Sequence, residues 1–136
     1  MKRKEPNFKY NYVLLIDDND LDNFINQKTI EVSYFSNKIY VNSGSKSALE
    51  FLKNLEISKQ SNVFPEVIFV DLNMAMIDGV QFIENFKQLM PDKFKSVKVV
   101  VLTSSIMPSD KDKVTKLSKD ILFLNKPLTK EILDQI

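Results

Sequence analysis

The chain has 136 residues, a net charge of +1, and neither cysteine nor histidine. That length allows one domain with a core of its own, and the near-neutral charge gives no electrostatic basis for binding nucleic acid or an anionic membrane. The missing residue types exclude disulfides, thiol and imidazole catalysis and the usual zinc ligands, so any chemistry must come from Asp, Glu, Lys, Ser, Thr, Tyr or a bound metal.

Residues 1–11 read as a loosely ordered, partly basic arm, and residues 12–136 as the domain. No stretch is apolar and long enough for a signal peptide or a membrane span. With no disulfide framework, a cytoplasmic setting is expected. Residues 13–16 form a continuous apolar run, the first strand, which ends in Asp17-Asp18-Asn19-Asp20. The next helix places Leu21, Phe24, Ile25, Val32 and Phe35 near one face, with Asn19 or Asp20 as its cap. A short second strand covers residues 38–41, and Ser45 is the expected cap of a helix carrying Ala48, Leu49, Leu52 and Leu55. A polar loop over residues 57–65 leads into a third strand at residues 66–70, which runs directly into Asp71.

A turn closing on Asp78-Gly79 opens a helix with Phe82, Ile83, Phe86, Leu89 and Met90 inward, and Pro91 stands just past its end. The fourth strand, residues 97–102, ends at Thr103-Ser104-Ser105. Ser109 and Asp112 have the spacing of a capping box for a lysine-rich helix anchored only by Val114 and Leu117. The fifth strand, residues 121–124, ends at Asn125-Lys126-Pro127, and Thr129 caps a last helix with Ile132, Leu133 and Ile136 inward. Five β-α alternations with buried-type strands imply an α/β fold, a doubly wound parallel sheet with helices on both faces.

In such a sheet, functional groups gather at the carboxyl ends of the strands. Asp17 and Asp18, Asp71, Thr103 and Lys126 come from four separate strands to that one edge. Three crowded carboxylates repel one another, and a hard divalent cation such as Mg²⁺ relieves this with oxygen ligands alone. Lys126 adds a second positive centre. Two positive centres beside a carboxylate suit phosphoryl transfer, with Asp71 as nucleophile forming an acyl phosphate and Thr103 offering a hydroxyl. Each residue alone has an ordinary structural reading, as a cap, a strand end or a solvated lysine; the conjunction carries the argument.

Leu15-Ile16-Asp17-Asp18-Asn19, the stretch from Val70-Asp71-Leu72 to Ile77-Asp78-Gly79, Leu102-Thr103-Ser104 and Lys126-Pro127-Leu128 together resemble the motifs of response-regulator receiver domains of two-component signalling. The resemblance spans residues 12–136. It implies a flavodoxin-like (βα)5 fold with five strands in the order 2-1-3-4-5. It makes Asp71 the acceptor of a phosphoryl group from a histidine kinase or histidine phosphotransfer protein. It also implies Mg²⁺ ligated by Asp18, Asp71 and the backbone carbonyl of Asn73, with Asp17 holding a metal-bound water. Lys126 would pair with Asp71 and then with its phosphoryl group, while Thr103 swings toward that group and Phe123 moves inward. The Lys126-Pro127 bond would be cis. The face built from the lysine-rich fourth helix, the fifth strand and the fifth helix would report the change to a downstream protein through Lys111, Lys113, Lys116, Lys119 and Phe123; a phosphorylation-dependent dimer is one assembly this allows.

The chain departs from the family pattern at three places. Ala75 stands where proline is common, which loosens the loop after Asp71. Ser104 replaces a smaller residue and narrows access to the site. Phe123 replaces the usual tyrosine, so any switch there works by packing alone. Two other readings compete: a non-phosphorylated interaction module of the same fold, and a Mg²⁺-dependent aspartyl phosphatase whose D-x-D would be Asp18-Asn19-Asp20. A flavin- or nucleotide-binding relative fits poorly, since two glycines supply no phosphate-cradling loop. Lacking histidine, the chain needs a partner as its phosphoryl donor. No output segment follows the domain, so the chain reads as a regulator acting alone through protein contacts or as a receiver cut from a longer protein.

Overall fold

The computed structural model describes residues 7–59, 61–74, 78–104 and 107–136. Five strands form one sheet: β1 (Tyr10–Ile16), β2 (Ser36–Asn42), β3 (Val67–Val70), β4 (Lys98–Thr103) and β5 (Leu122–Asn125). All neighbours are parallel and the order is β2-β1-β3-β4-β5, as the resemblance implied. Among the described residues six α-helices connect and flank them: α1 (Asp20–Val32), α2 (Ser45–Ile57), α3 (Gly79–Leu89), α4 (Pro91–Ser96), α5 (Pro108–Leu117) and α6 (Lys130–Leu133).

Alternation along the strands sorts the core into two layers. Leu14, Ile16, Ile68, Val70, Val99 and Val101 pack with α2, α3 and α5 through residues such as Leu52, Phe82, Phe86 and Val114. Val13, Leu15, Val67, Phe69, Val100 and Leu102 face the other way, against Ile30, Leu133 and Ile136. β3 is buried along its whole length, whereas edge strand β5 is only partly covered. Both faces of a parallel sheet must be apolar for helices to cover them, which is why these strands read as unbroken apolar runs. Among the described residues no helix is long and apolar enough to cross a membrane.

Several local expectations need correction. β1 begins at Tyr10, so Tyr10 and Asn11, assigned to the arm, belong to the sheet. Tyr10 pairs with Ser36, and its hydroxyl donates to the Ile136 carbonyl at 3.2 Å. The first six residues of the arm lie outside the described residues, as does Ala75. Pro91 does not merely follow a helix; it opens α4 at the first helical position, where its missing N–H costs nothing. Pro108 likewise starts α5 one residue before Ser109, so Ser109 is not its cap. Ser45 is the first residue of α2 rather than its cap, which is Gly44. Asn19 and Thr129 do cap α1 and α6, and Asp78 forms a capping box with Gln81.

The largest correction concerns α1. Of the residues expected to share its apolar face, Leu21, Phe24, Ile25 and Val32 are exposed, with Val32 at 74% and Leu21 at 66%, and Phe35, buried, lies beyond the helix. The buried residues of this helix are Asn23, Asn26 and Ile30. The Asn23 amide donates to the Asp17 carbonyl at 2.8 Å, and the Asn26 side-chain oxygen accepts from the Leu128 amide at 3.2 Å. Helical spacing identifies residues that share a face but not which face turns inward. Here the inward face ties the loop after β1 to the loop after β5.

Candidate functional site

β1 delivers Asp17 and Asp18 to the carboxyl edge, β3 delivers Asp71, β4 ends in Thr103, and Lys126 follows β5. Backbone hydrogen bonds fix these ends: Asp71 donates to the Ile16 carbonyl at 3.0 Å, Asp17 to Asn42 at 3.2 Å, and Lys126 to Thr103 at 2.9 Å. Asp17, Asp18 and Asp71 each present an oxygen within 4.8 Å of the others. Asp17 and Asp71 are buried, and Asp18 is exposed. Each buried carboxylate also accepts from the backbone two residues on, Asp17 from the Asn19 amide at 3.0 Å and Asp71 from the Asn73 amide at 3.1 Å. These short loops hold the carboxylates by local geometry of the kind Asp is suited to.

The Lys126 ammonium lies 2.5 Å from Asp17, 2.8 Å from Asp22 and 3.0 Å from Asp71. An ammonium has three donors, and here each has a carboxylate. Burial by itself would lower the Lys126 pKa; the hydrogen bonds to Asp17, Asp22 and Asp71 outweigh it, and the group titrates above its ordinary 10.5. Asp17 is shifted upward, first because burial disfavours its charged form; Lys126 and the Asn19 amide oppose that shift, and the Asp71 charge adds to it. Asp22 was missed in the sequence. Its signal was position: it stands in the first turn of α1, the end of the helix that follows directly on the Asp17-Asp18 strand edge.

Thr103 is fully buried, and its hydroxyl accepts from the Asn73 amide side chain at 3.1 Å. Thr103 therefore joins the carboxylate group through Asn73, whose own backbone leans on Asp71. Gly79 closes the far side, its N–H donating to the Leu72 carbonyl at 3.1 Å. Ser104 is exposed just beyond β4. Phe123 pairs in register with Val101, packs partly buried on the core, and carries the Lys111 ammonium 5.6 Å from its ring centre. It belongs to the α5–β5 side rather than to the carboxylate group. The Lys126-Pro127 bond is cis.

This donor set is all oxygen, two buried carboxylates with a third open to solvent, which fits a hard divalent ion that keeps part of its water shell. The comparisons agree with the geometry. The model of the response regulator receiver domain matches residues 13–136. The chain belongs to that family. A two-component response regulator from Cytophaga hutchinsonii has the same fold at a TM-score of 0.79, with 33% identity and 92% of each chain covered. The Mn²⁺-bound form of response regulator Rcp1 matches at a TM-score of 0.72 and 25% identity, over 92% of this chain and 88% of that one. A probable methanogenesis regulatory protein, FilR2, of Methanothrix harundinacea is 29% identical over 120 residues, which is 88% of this chain and 74% of that protein. The receiver's flavodoxin-like sheet order and acidic strand edge are thus features of this chain.

Proposed function

We propose that this receiver accepts a phosphoryl group on Asp71 from the phosphohistidine of a histidine kinase or phosphotransfer protein, and that the modified state is read by another protein. The observation that carries this reading is the Asp71 carboxylate, buried at a strand end, with the Lys126 ammonium at 3.0 Å and the Asp17 and Asp18 oxygens within 4.8 Å. An oxygen of Asp71 would attack phosphorus; the phosphorus–nitrogen bond would break, and its electron pair would leave with the donor imidazole. Lys126 holds a fixed positive charge where negative charge builds on the phosphoryl oxygens. Asp18, Asp71 and the Asn73 backbone carbonyl would hold Mg²⁺, with Asp17 acting through water. The bound ion would supply the second positive charge that lets an anionic donor approach three carboxylates. The Mn²⁺-bound form of the similar Rcp1 supports a divalent site.

The phosphoryl group brings close to two negative charges. It shifts the protein only through contacts that differ between two states. Thr103, already linked to the site by Asn73, and Lys126 are the groups placed to make such contacts. The surface of α5, β5 and α6 is the proposed reporter, with Lys111, Lys113, Lys116, Lys119 and Phe123 on it. Ser104, exposed beside Thr103, would limit access to the phosphoryl group.

The phosphatase reading is less well supported: Asp20, the second acid of its D-x-D, sits exposed in the first turn of α1 and is absent from the carboxylate group found among the described residues. Intact mass after incubation with Mg²⁺ and acetyl phosphate tests the proposal. One added phosphoryl group, missing without Mg²⁺ and missing in Asp71→Asn, is expected. No adduct on the wild type, together with no binding of beryllium fluoride, would leave the non-phosphorylated interaction module.

A further inference from the structure

Lys126 has one more partner than the phosphoryl chemistry needs. Asp17 and Asp71 lie at the strand ends, but Asp22 reaches in from α1, with its side chain about one-third exposed and its Oδ2 at 2.8 Å from Nζ. We infer that Asp22 is a positioning residue that acts through Lys126, competing with the phosphoryl group on Asp71 for the ammonium and so setting how firmly the modified state is held. This inference rests on the proposed acceptor role of Asp71.

The argument is one of charge and donor count. All three ammonium donors are taken in the unmodified protein: Asp17, Asp22 and Asp71. Asp71 loses its carboxylate charge when it becomes an acyl phosphate, and the charge moves outward onto the phosphoryl oxygens. Lys126 must follow it. Asp17 is buried at the strand end beside Asp71, whereas Asp22 is anchored on α1, whose N-terminus is held by the Asn19 cap and whose inner face is held by Asn23 and Asn26. Asp22 therefore pulls Lys126 toward the helix. Its negative charge also repels an incoming anion and attracts a divalent cation. Both effects act on the anion in one direction, and the cation responds in the other.

Opposite signs give the test. Asp22→Asn keeps the side-chain shape and removes the charge; Asp20→Asn, an exposed acid on the same turn, is the control for charge alone. Magnesium affinity is measured by calorimetry, and beryllium fluoride affinity is measured with Mg²⁺ saturating. For Asp22→Asn we expect beryllium fluoride to bind roughly two- to five-fold tighter and Mg²⁺ to bind weaker by a similar factor, the range of a partly exposed ion pair. Asp20→Asn is expected to change both by much less. A merely structural role for Asp22 would weaken both ligands together and lower the unfolding midpoint. Beryllium fluoride affinity unchanged or weakened in Asp22→Asn, while the wild type binds normally, overturns the inference and leaves the acceptor role standing. A wild type that takes no beryllium fluoride overturns the acceptor role, and the inference falls with it.

Discussion

A side chain on residue 79 would collide with the backbone of Asp71. A Cβ placed on Gly79 stands 2.4 Å from the Asp71 carbonyl oxygen and 2.7 Å from the Leu72 Cα. Backbone atoms at a strand end cannot step aside as a flexible side chain can. Gly79→Ala is therefore expected to displace the Asp71 backbone and to cost about 1–3 kcal/mol, as overpacking does. Urea unfolding gives the stability, and beryllium fluoride titration gives the site. Near-normal values of both would mean that the turn yields without moving Asp71.

The inverted α1 makes a prediction that sequence hydropathy opposes. Phe24→Ser removes an exposed apolar ring and is expected to change stability by less than about 0.5 kcal/mol. Asn26→Ala leaves the Leu128 amide without its acceptor and should cost about 1–3 kcal/mol. Equilibrium denaturation of the two variants under one buffer decides it; the reverse ranking would mean that the apolar face is the buried one.

Thr103→Val keeps the branched shape of a fully buried residue and removes the hydroxyl. The Asn73 amide, exposed, can turn to water, so the fold should tolerate the change within about 1 kcal/mol. Beryllium fluoride affinity should fall about ten-fold, the scale of one hydrogen bond to a charged group. Retained affinity would remove Thr103 from the phosphoryl contacts.

The pH dependence of stability follows from the direction of two shifts. Lys126 is raised above 10.5, so its ion pairs stabilise the fold fully below that pH, and this contribution is lost as pH rises through the folded-state value. Asp17 is raised above 3.8: the folded state holds its proton more tightly, so stability from this group is present in acid and falls as pH climbs from 3.8. The partly buried Tyr40 phenol, raised above 10.0 by its loss of solvent, adds to the alkaline loss. Urea midpoints of wild type and Lys126→Met between neutral pH and strong alkali separate the lysine. The variant should be less stable at neutral pH by about 3 kcal/mol, the cost of leaving partnered carboxylates uncompensated. It should converge on the wild type as pH rises. Parallel curves would mean that Lys126 contributes no linked stability.

The sheet was legible because its signal is coarse. Unbroken apolar runs such as Val99–Val101 with turn residues between them admit few other folds, and the acids at their ends were read directly. Helix ends were less legible: Ser45 and Ser109 have the chemistry of caps, yet the chain begins those helices at a buried serine and at Pro108. α1 was misread because its apolar residues share a face, and only the tertiary bonds of Asn23 and Asn26 reveal that the polar face is inward. At the site, Asp17, Asp18, Asp71 and Lys126 fell at strand ends and were found. Asp22 stands in the first turn of α1, where an acid ordinarily serves the helix dipole, so its position hints at the strand edge but its pairing shows only when Lys126 is seen across 104 residues of sequence.

The site has a consequence for how the whole domain can come apart. Asp71 and Lys126 are 55 residues apart and meet only when the edge strand β5 is docked. That edge is the partly covered one. If it peels away first, Asp17, Asp22 and Asp71 lose the ammonium they share, and the loss feeds on itself. A cation or phosphoryl group that bridges the strand ends would clamp the rim against the middle of the sheet by mass action. Hydrogen exchange at β5 would then register occupancy of a site whose central carboxylate, Asp71, sits two strands away.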